Sequence, residues 1–254
     1  MNEINIFDKK WLESGKIKTD VHGDKNIIEV KERKVIQNKI LNPFPAAKMN
    51  NELNVSIKGT NNKVMIGSIL IDGRLSINIS GDNNTVIIGD NNFIKRNLSL
   101  NIRPAGPNIR LKEAKVEIGE ENWFNGNVVL DAGESNKNIK IGSYNLFANN
   151  ISLSTSDNHC IFNLDDGKIL NKAGSVEVED HVWICTDVLV LNNTKISKNS
   201  VIAARSVVTK KFEQGNVVIG GVPGKVIKSN ISWSQNLYEN TQFLSQSEIK
   251  KWIC

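Results

Sequence analysis

Aliphatic side chains recur at every sixth position along much of this chain. Val178, Ile184, Val190, Ile196, Ile202 and Val208 stand six apart without a break. Ile88, Ile94 and Leu100 form an earlier run that Ile118, Phe124 and Leu130 continue in phase, and Ile141, Phe147 and Leu153 form a third. An α-helix needs apolar residues three and four apart, and an amphipathic strand needs sustained alternation between more widely spaced turns. A period of six is met when each hexad is one short strand and a turn, three hexads close a triangular coil, and stacked coils bury every sixth side chain. The turn slots carry Gly, Asn, Asp or Ser, as in Ile118-Gly119-Glu120 and Ile141-Gly142-Ser143. Such residues tolerate the positive φ that tight turns require. The pattern therefore predicts an all-β solenoid.

The run Gly59-Thr60-Asn61-Asn62-Lys63-Val64-Met65-Ile66-Gly67 is echoed by Gly81-Asp82-Asn83-Asn84-Thr85-Val86-Ile87-Ile88-Gly89, and more faintly by Gly23-Asp24-Lys25-Asn26-Ile27-Ile28. The solenoid domain is accordingly expected over residues 53–228, with residues 1–52 an N-terminal extension that joins the first coils if the faint echo counts. The polar segment 157–174 breaks the phase between Leu153 and Val178 and is expected to protrude as a loop. From residue 229 the hexads are lost, and Leu237, Phe243, Leu244, Ile249 and Trp252 stand among polar residues. That predicts a C-terminal helical tail over 229–254, capping an end that would otherwise expose apolar surface and an unpaired edge.

Composition narrows the picture further. The 254 residues suffice for one large domain or a domain with a small appendage. Hydrophobic residues make up 39% and aromatics 6%, which with abundant Asn, Ile and Val suits short β-branched strands and turns. No apolar stretch approaches the ~18 residues of a membrane span, and the charged start of the chain has no apolar signal region, so a cytoplasmic location without membrane insertion is expected. The three cysteines, Cys160, Cys185 and Cys254, lack CxxC spacing and read as free thiols rather than a structural zinc site. A net charge of +5 favours anionic partners. The lysines are scattered and no basic run is interleaved with aromatics, so no nucleic-acid partner is expected.

Three motifs carry chemistry: Ser154-Thr155-Ser156-Asp157-Asn158-His159; Glu179-Asp180-His181-Val182-Trp183-Ile184; and the segment from Ser200 through Ala203-Ala204-Arg205-Ser206 to Lys210, followed by Gly220-Gly221-Val222-Pro223-Gly224-Lys225. With Trp233 in the tail, these resemble the hexapeptide-repeat acyltransferases, and within them the bacterial capsular sialic-acid O-acetyltransferases, over about a third of the chain. The resemblance implies a left-handed parallel β-helix and a homotrimer with sites between subunits. It also implies acetyl-CoA as co-substrate, no metal, and a carbohydrate acceptor such as a capsular polysaccharide or sialic acid.

By resemblance, His159 on the protruding loop is the general base. A sugar hydroxyl is a poor nucleophile until its proton is removed, and imidazole is the side chain suited to take it near neutral pH. Asp157 is two residues earlier, and in extended backbone that shares a face with His159. It could orient the imidazole, bind the acceptor or simply hold the turn. Trp183 precedes an inward Ile and so faces outward, either beside the pantetheine arm and acetyl group or packed at a trimer contact. The resemblance assigns Thr186, Ala204 and Thr209 to the pantetheine arm, and Lys210, Lys225 and Lys228 to the nucleotide phosphates, against the alternative of ordinary surface lysines. The chain departs from the family pattern at Cys160, Cys185 and Arg205, which bears on the acceptor and turn geometry. Direct transfer does not require Cys160 as a nucleophile.

Rival readings are an N-acyltransferase acting on a nucleotide-linked amino sugar, and a non-catalytic trimeric binding module. A metal hydrolase of the carbonic-anhydrase kind is disfavoured, because His22, His159 and His181 do not form a three-histidine ligand set. The GGVPG run lacks the Lys-Ser/Thr ending of a phosphate loop.

Overall fold

A computed structural model describes residues 1–8, 16–32, 52–104, 106 and 109–235. These residues wind into a left-handed parallel β-helix of three flat sheets. The first face runs in order from Glu3–Ile6 through Ile27–Val30, Lys63–Ile66, Thr85–Ile88, Lys115–Ile118, Asn138–Ile141 and Val176–Val178 to Thr194–Ile196. The second runs from Ile17–His22 through Glu52–Lys58, Arg74–Asp82, Asn97–Ile102, Asn127–Asp131, Ile151–Ser154 and Val188–Val190 to Val207–Val208. The third begins at Leu70–Ile71 and passes through Phe93–Ile94, Trp123–Phe124, Leu146–Phe147, Trp183–Ile184 and Val201–Ile202 to Val217–Gly220. Glu3–Ile6 already pairs in register with Ile27–Val30, so strand pairing reaches back into the first residues described.

The hexads become columns. Ile118, Ile141, Val178 and Ile196 stack on the first face, Phe124, Phe147, Ile184 and Ile202 on the third, and Leu130, Leu153, Val190 and Val208 on the second. All are buried. Each such side chain contributes roughly 1.5–3 kcal/mol by leaving water, which is why the position admits only aliphatic residues and an occasional Phe. The two phenylalanines stack at 4.8 Å between centroids.

The abundant asparagines do more than form turns. At one corner Asn26, Asn62 and Asn84 form a buried column. The carbonyl of each accepts a main-chain N–H from the next coil, Asn62 to Asn26, Asn84 to Asn62 and Ala114 to Asn84, each at 3.0 Å. Their amides donate to the carbonyls of Gly59, Gly81 and Leu111. Asn92, Asn122 and Asn145 repeat the arrangement at the next corner, where Val182 N–H closes the column on Asn145 at 2.6 Å. These bonds satisfy turn groups that the strand ladders leave unpaired. The exposed neighbours Asn61 and Asn83 take φ 58°, which Asn tolerates. At Gly81, with φ +140°, a Cβ would come within 1.9 Å of the Leu111 oxygen, so only glycine fits.

Residues 157–174 leave the second face after Ile151–Ser154 and return at Val176–Val178 on the first, forming a finger closed by an antiparallel bridge between Phe162 and Ile169. The C-terminal expectation needs correction. Ser229 ends the strand Lys225–Ser229, which pairs antiparallel with Val217–Gly220, and residues 230–235 contain no helix. The open edge of Val217–Gly220 needs main-chain partners, and a returning strand supplies them where a helix cannot. Residues 236–254, where the rest of the expected helical tail falls, lie outside the described residues. No described helix is long and apolar enough to cross a membrane.

Candidate active site

The neck of the finger is built from amide side chains. Asp157 accepts hydrogen bonds from Asn171 Nδ2 and Asn192 Nδ2, each at 2.9 Å. Asn171 Nδ2 also donates to the His159 carbonyl at 2.8 Å, while its Oδ1 accepts Ile161 N–H at 2.6 Å. Below them Thr155 is buried and accepts Gly133 N–H, and Ser156 Oγ donates to Glu134 at 3.1 Å and accepts Asn158 N–H at 3.0 Å. His159 is thus held by its backbone at the root of the finger. Its imidazole is exposed and has no hydrogen-bond partner among the described residues. The hydrogen bonds of Asp157 go to the two asparagines, an arrangement that fastens the loop.

Trp183 opens its strand on the third face, between Leu146 and Val201, with its ring half-buried. Its indole Nε1–H is buried and has no partner among the described residues. A buried donor left unmade costs stability, so this N–H is an invitation to an acceptor brought by a ligand. One turn earlier, His181 at φ 55° packs flat against Trp233, with ring centroids 4.4 Å apart. Trp233 donates to the His181 carbonyl at 2.8 Å and lies 6.0 Å from the Trp183 ring. Burial pushes the His181 pKa down, outweighing its contact with Asn199. The Cys185 thiol is pushed up by burial.

The remaining candidates separate by corner. Thr186 and Ala204 stack in successive coils where the third face turns into the second, with Arg205 N–H donating to the Thr186 carbonyl at 3.0 Å. Lys225 and Lys228 are exposed on the last strand of the third face, without ion-pair partners among the described residues. Thr209 and Lys210 lie beyond Val207–Val208 on the far side of the prism, at the corner from which the finger emerges, and Lys210 rests over the Phe212 ring at 5.4 Å. One chain therefore carries Trp183, Thr186, Ala204, Lys225 and Lys228 on its third face and the adjoining corner. His159, Asp157, Thr209 and Lys210 sit at the opposite vertex. Asn171, Asn192 and the role of Trp233 escaped the sequence reading. Asn171 sits in a stretch with no repeat against which it would stand out, and Trp233 was visible only as part of a tail motif.

Among the described residues, no group of three or more His, Cys, Asp or Glu side chains is placed to hold a metal ion. No family model matches the chain. A polysialic acid O-acetyltransferase of Neisseria meningitidis is 29% identical over 118 residues, covering 46% of this chain and 54% of that protein. One from Escherichia coli O1:K1 / APEC is 27% identical over 135 residues, covering 53% of this chain and 43% of that protein. These matches span about half the length of the relatives concerned. The crystal structure of the polySia-specific acetyltransferase NeuO superposes with a TM-score of 0.70 at 25% identity, covering 90% of this chain and 95% of that one. Fold and motifs together define a left-handed parallel β-helix built on hexapeptide repeats, similar to the hexapeptide-repeat acyltransferases. Within that class, the particular proteins it resembles are the polysialic acid O-acetyltransferases.

Proposed function

We propose that this chain is an acetyl-CoA-dependent O-acetyltransferase that esterifies a sugar hydroxyl of a bacterial surface polysaccharide, sialic acid being the first acceptor to try, at sites formed between the subunits of a homotrimer. The observation that carries the reading is the division of the candidate residues between two sides of one prism. Each side also turns apolar side chains outward among the described residues. The finger exposes Ile161, Phe162, Leu164, Ile169 and Leu170, with Leu164 at 90%. The third face presents Leu146, Trp183, Val201 and Val218 outward. Large exposed apolar surfaces mark association sites, and docking one copy's finger against the next copy's third face brings His159 toward Trp183.

In that arrangement His159 takes the hydroxyl proton as the oxygen attacks the thioester carbonyl. The new C–O bond forms, the C–S bond breaks, and the imidazolium returns the proton to the departing thiolate. The Trp183 N–H is available to the thioester or its oxyanion. Thr186 and Ala204 line the path for the pantetheine arm, and Lys225 and Lys228, with Lys210 from the neighbour, face the phosphates.

Thiol release from acetyl-CoA, measured against a panel of sialylated and neutral polysaccharides, tests the reading. Treating the product with hydroxylamine separates an ester, which is cleaved, from the amide that an N-acyltransferase would leave. His159→Ala and Trp183→Ala should each be inactive. Co-refolded together they should regain part of the wild-type rate, because some interfaces then combine an intact His159 with an intact Trp183. No recovery in mixed trimers would reject the shared site.

A further inference from the structure

Where the third face turns into the second, three successive coils place Asn150, Asp187 and Arg205 at the same corner position, with φ of 56°, 60° and 59°. Asn and Asp visit this left-handed conformation readily, because their short polar side chains bond locally. Arg has no such relief, so the turn at Arg205 is held against the preference of its side chain. The charged contact it makes does little to offset that. Arg205 Nε stands 3.7 Å from Asp187 Oδ2 and the arginine side chain is 86% exposed, and an ion pair so open to water contributes little. Asp187 is itself fixed by Asn150 Nδ2, which donates to its Oδ1 at 2.6 Å. The carboxylate thus steadies the stem of the guanidinium, whose two Nη groups have no partner among the described residues.

The neighbours of Arg205 say what it faces. It directly follows Ala204, which stacks on Thr186. Val207, two residues on, donates to the Gly221 carbonyl at 3.0 Å and accepts the Gly224 N–H at 2.7 Å, which ties the turn before Lys225 to this corner. Along the row Ala203, Gly220, Lys225, the lysine stands two strands beyond the coil of Arg205, about 9–10 Å at the usual strand spacing. Resting on the acetyltransferase reading above, we propose that Arg205 binds the pyrophosphate of the coenzyme and so makes the enzyme favour the whole coenzyme over its phosphate-free arm. The order of groups along the corner selects this phosphate. A pantetheine arm lying on Thr186 and Ala204 ends at the pyrophosphate, so the first cation past the arm meets that group. Lys225 and Lys228, further along, are left for the 3′-phosphate. A guanidinium suits the nearer position because its parallel N–H groups match two phosphate oxygens at once, which an ammonium cannot do.

Titration calorimetry with CoA, dephospho-CoA and pantetheine tests this on wild type and Arg205→Asn, a change that suits the φ of 59° and removes the guanidinium. Kd for CoA and for dephospho-CoA should each rise about tenfold, the loss of a charge-assisted contact. Pantetheine should bind both proteins equally. The weakening of CoA binding by salt should be smaller in the variant. Thermal unfolding without ligand should give Arg205→Asn a melting temperature at or above the wild-type value, since the strained turn is relieved, and Arg205→Gly should behave alike in both measurements. Equal CoA affinity in wild type and variants overturns the assignment, and so does a lower melting temperature, which would make the arginine structural. A loss shared by pantetheine overturns it as a distorted arm site, and a loss confined to CoA overturns it by moving the contact to the 3′-phosphate. The two readings fail separately. A wild type that binds CoA but transfers no acetyl group rejects the transferase while the same comparison of Kd values still decides Arg205, and a wild type with no affinity for CoA rejects both.

Discussion

Trp233 lays its ring against the His181 imidazole at 4.4 Å and 9° and closes the contact by donating its indole N–H to the His181 carbonyl at 2.8 Å. His181 occupies a corner at φ 55°, a conformation that costs a bulky residue energy unless the surroundings hold it. The ring of Trp233 holds that corner from outside, and Trp183 begins two residues later. Removing the indole should therefore act twice. Trp233→Ala should cost roughly 3–5 kcal/mol as a buried aromatic truncation, read from urea denaturation, and should raise KM for acetyl-CoA through a displaced Trp183. Trp233→Phe keeps the stack and loses one hydrogen bond, so a stability loss of about 1 kcal/mol is expected, with most of the activity retained. Equal damage from both variants would show that the stack does not position Trp183.

The same corner gives the protein a defined pH response. Burial holds His181 neutral in the folded state, with its pKa below the ordinary value. In the unfolded chain it titrates near ~6.5, so below that pH the unfolded state binds more protons and stability falls. The contribution is complete above about pH 6.5 and is lost progressively on acidification below it. Glu179 responds at lower pH. Burial pushes its carboxyl up, but its bonds to Lys195 and the Lys198 N–H outweigh that and leave the pKa lowered, so its contribution is lost only as pH falls through the carboxylate range. Denaturant unfolding between pH 5 and 7.5 should show stability rising with pH, and His181→Asn, which tolerates the positive φ, should flatten that rise. An unchanged slope in the variant would assign the effect elsewhere.

The loop neck should be separable from the fold. Asn171 ties Asp157, the His159 carbonyl and the Ile161 N–H together, yet it stands outside the solenoid core. Asn171→Ala should change global stability by no more than about 0.5 kcal/mol, as for a substitution away from the core, while loosening residues 157–174. Limited proteolysis and amide exchange report that local opening directly. Acetyl transfer should drop in step with loop protection. A finger as protected as in the wild type would leave the neck without the role assigned to it.

The hexads were legible because an inward position in a narrow prism accepts little besides Ile, Val, Leu or Phe, so Val178 through Val208 announced their columns. The finger was legible as the place where that constraint stopped. The Asn columns were seen only as turn formers, because a sequence shows that Asn26, Asn62 and Asn84 suit corners but not that their amides face inward and bond along the axis. The strand Lys225–Ser229 was missed for a related reason. What decides it is the unpaired main chain of Val217–Gly220, and unpaired main chain leaves no mark in the side-chain pattern. Nor could spacing show that His159 and Trp183, so near in sequence, stand on opposite sides of the prism, since that depends on which corner releases the finger.

The two Asn columns should differ in what they contribute. Asn84 accepts the Ala114 N–H and donates to the Leu111 carbonyl and to Asn62 Oδ1, so every polar atom of its side chain is engaged. Asn145 accepts the Val182 N–H, but its buried Nδ2 has no partner among the described residues. Asn84→Ala strands two buried backbone groups of the next coil, the Ala114 N–H and the Leu111 carbonyl, each costing about 1–3 kcal/mol, and a total loss of roughly 2–4 kcal/mol is expected. Asn145→Ala strands one N–H and at the same time removes an amide that was already desolvated without compensation, so its loss should be smaller by about 1–2 kcal/mol. Urea unfolding of the two variants measures the difference. Amide exchange should place each loss in the coils flanking the substitution, since neighbouring coils carry most of the coupling in a solenoid. If Asn145→Ala proved the more damaging of the two, its Nδ2 would have to be satisfied in the folded protein and the account of the column would fail.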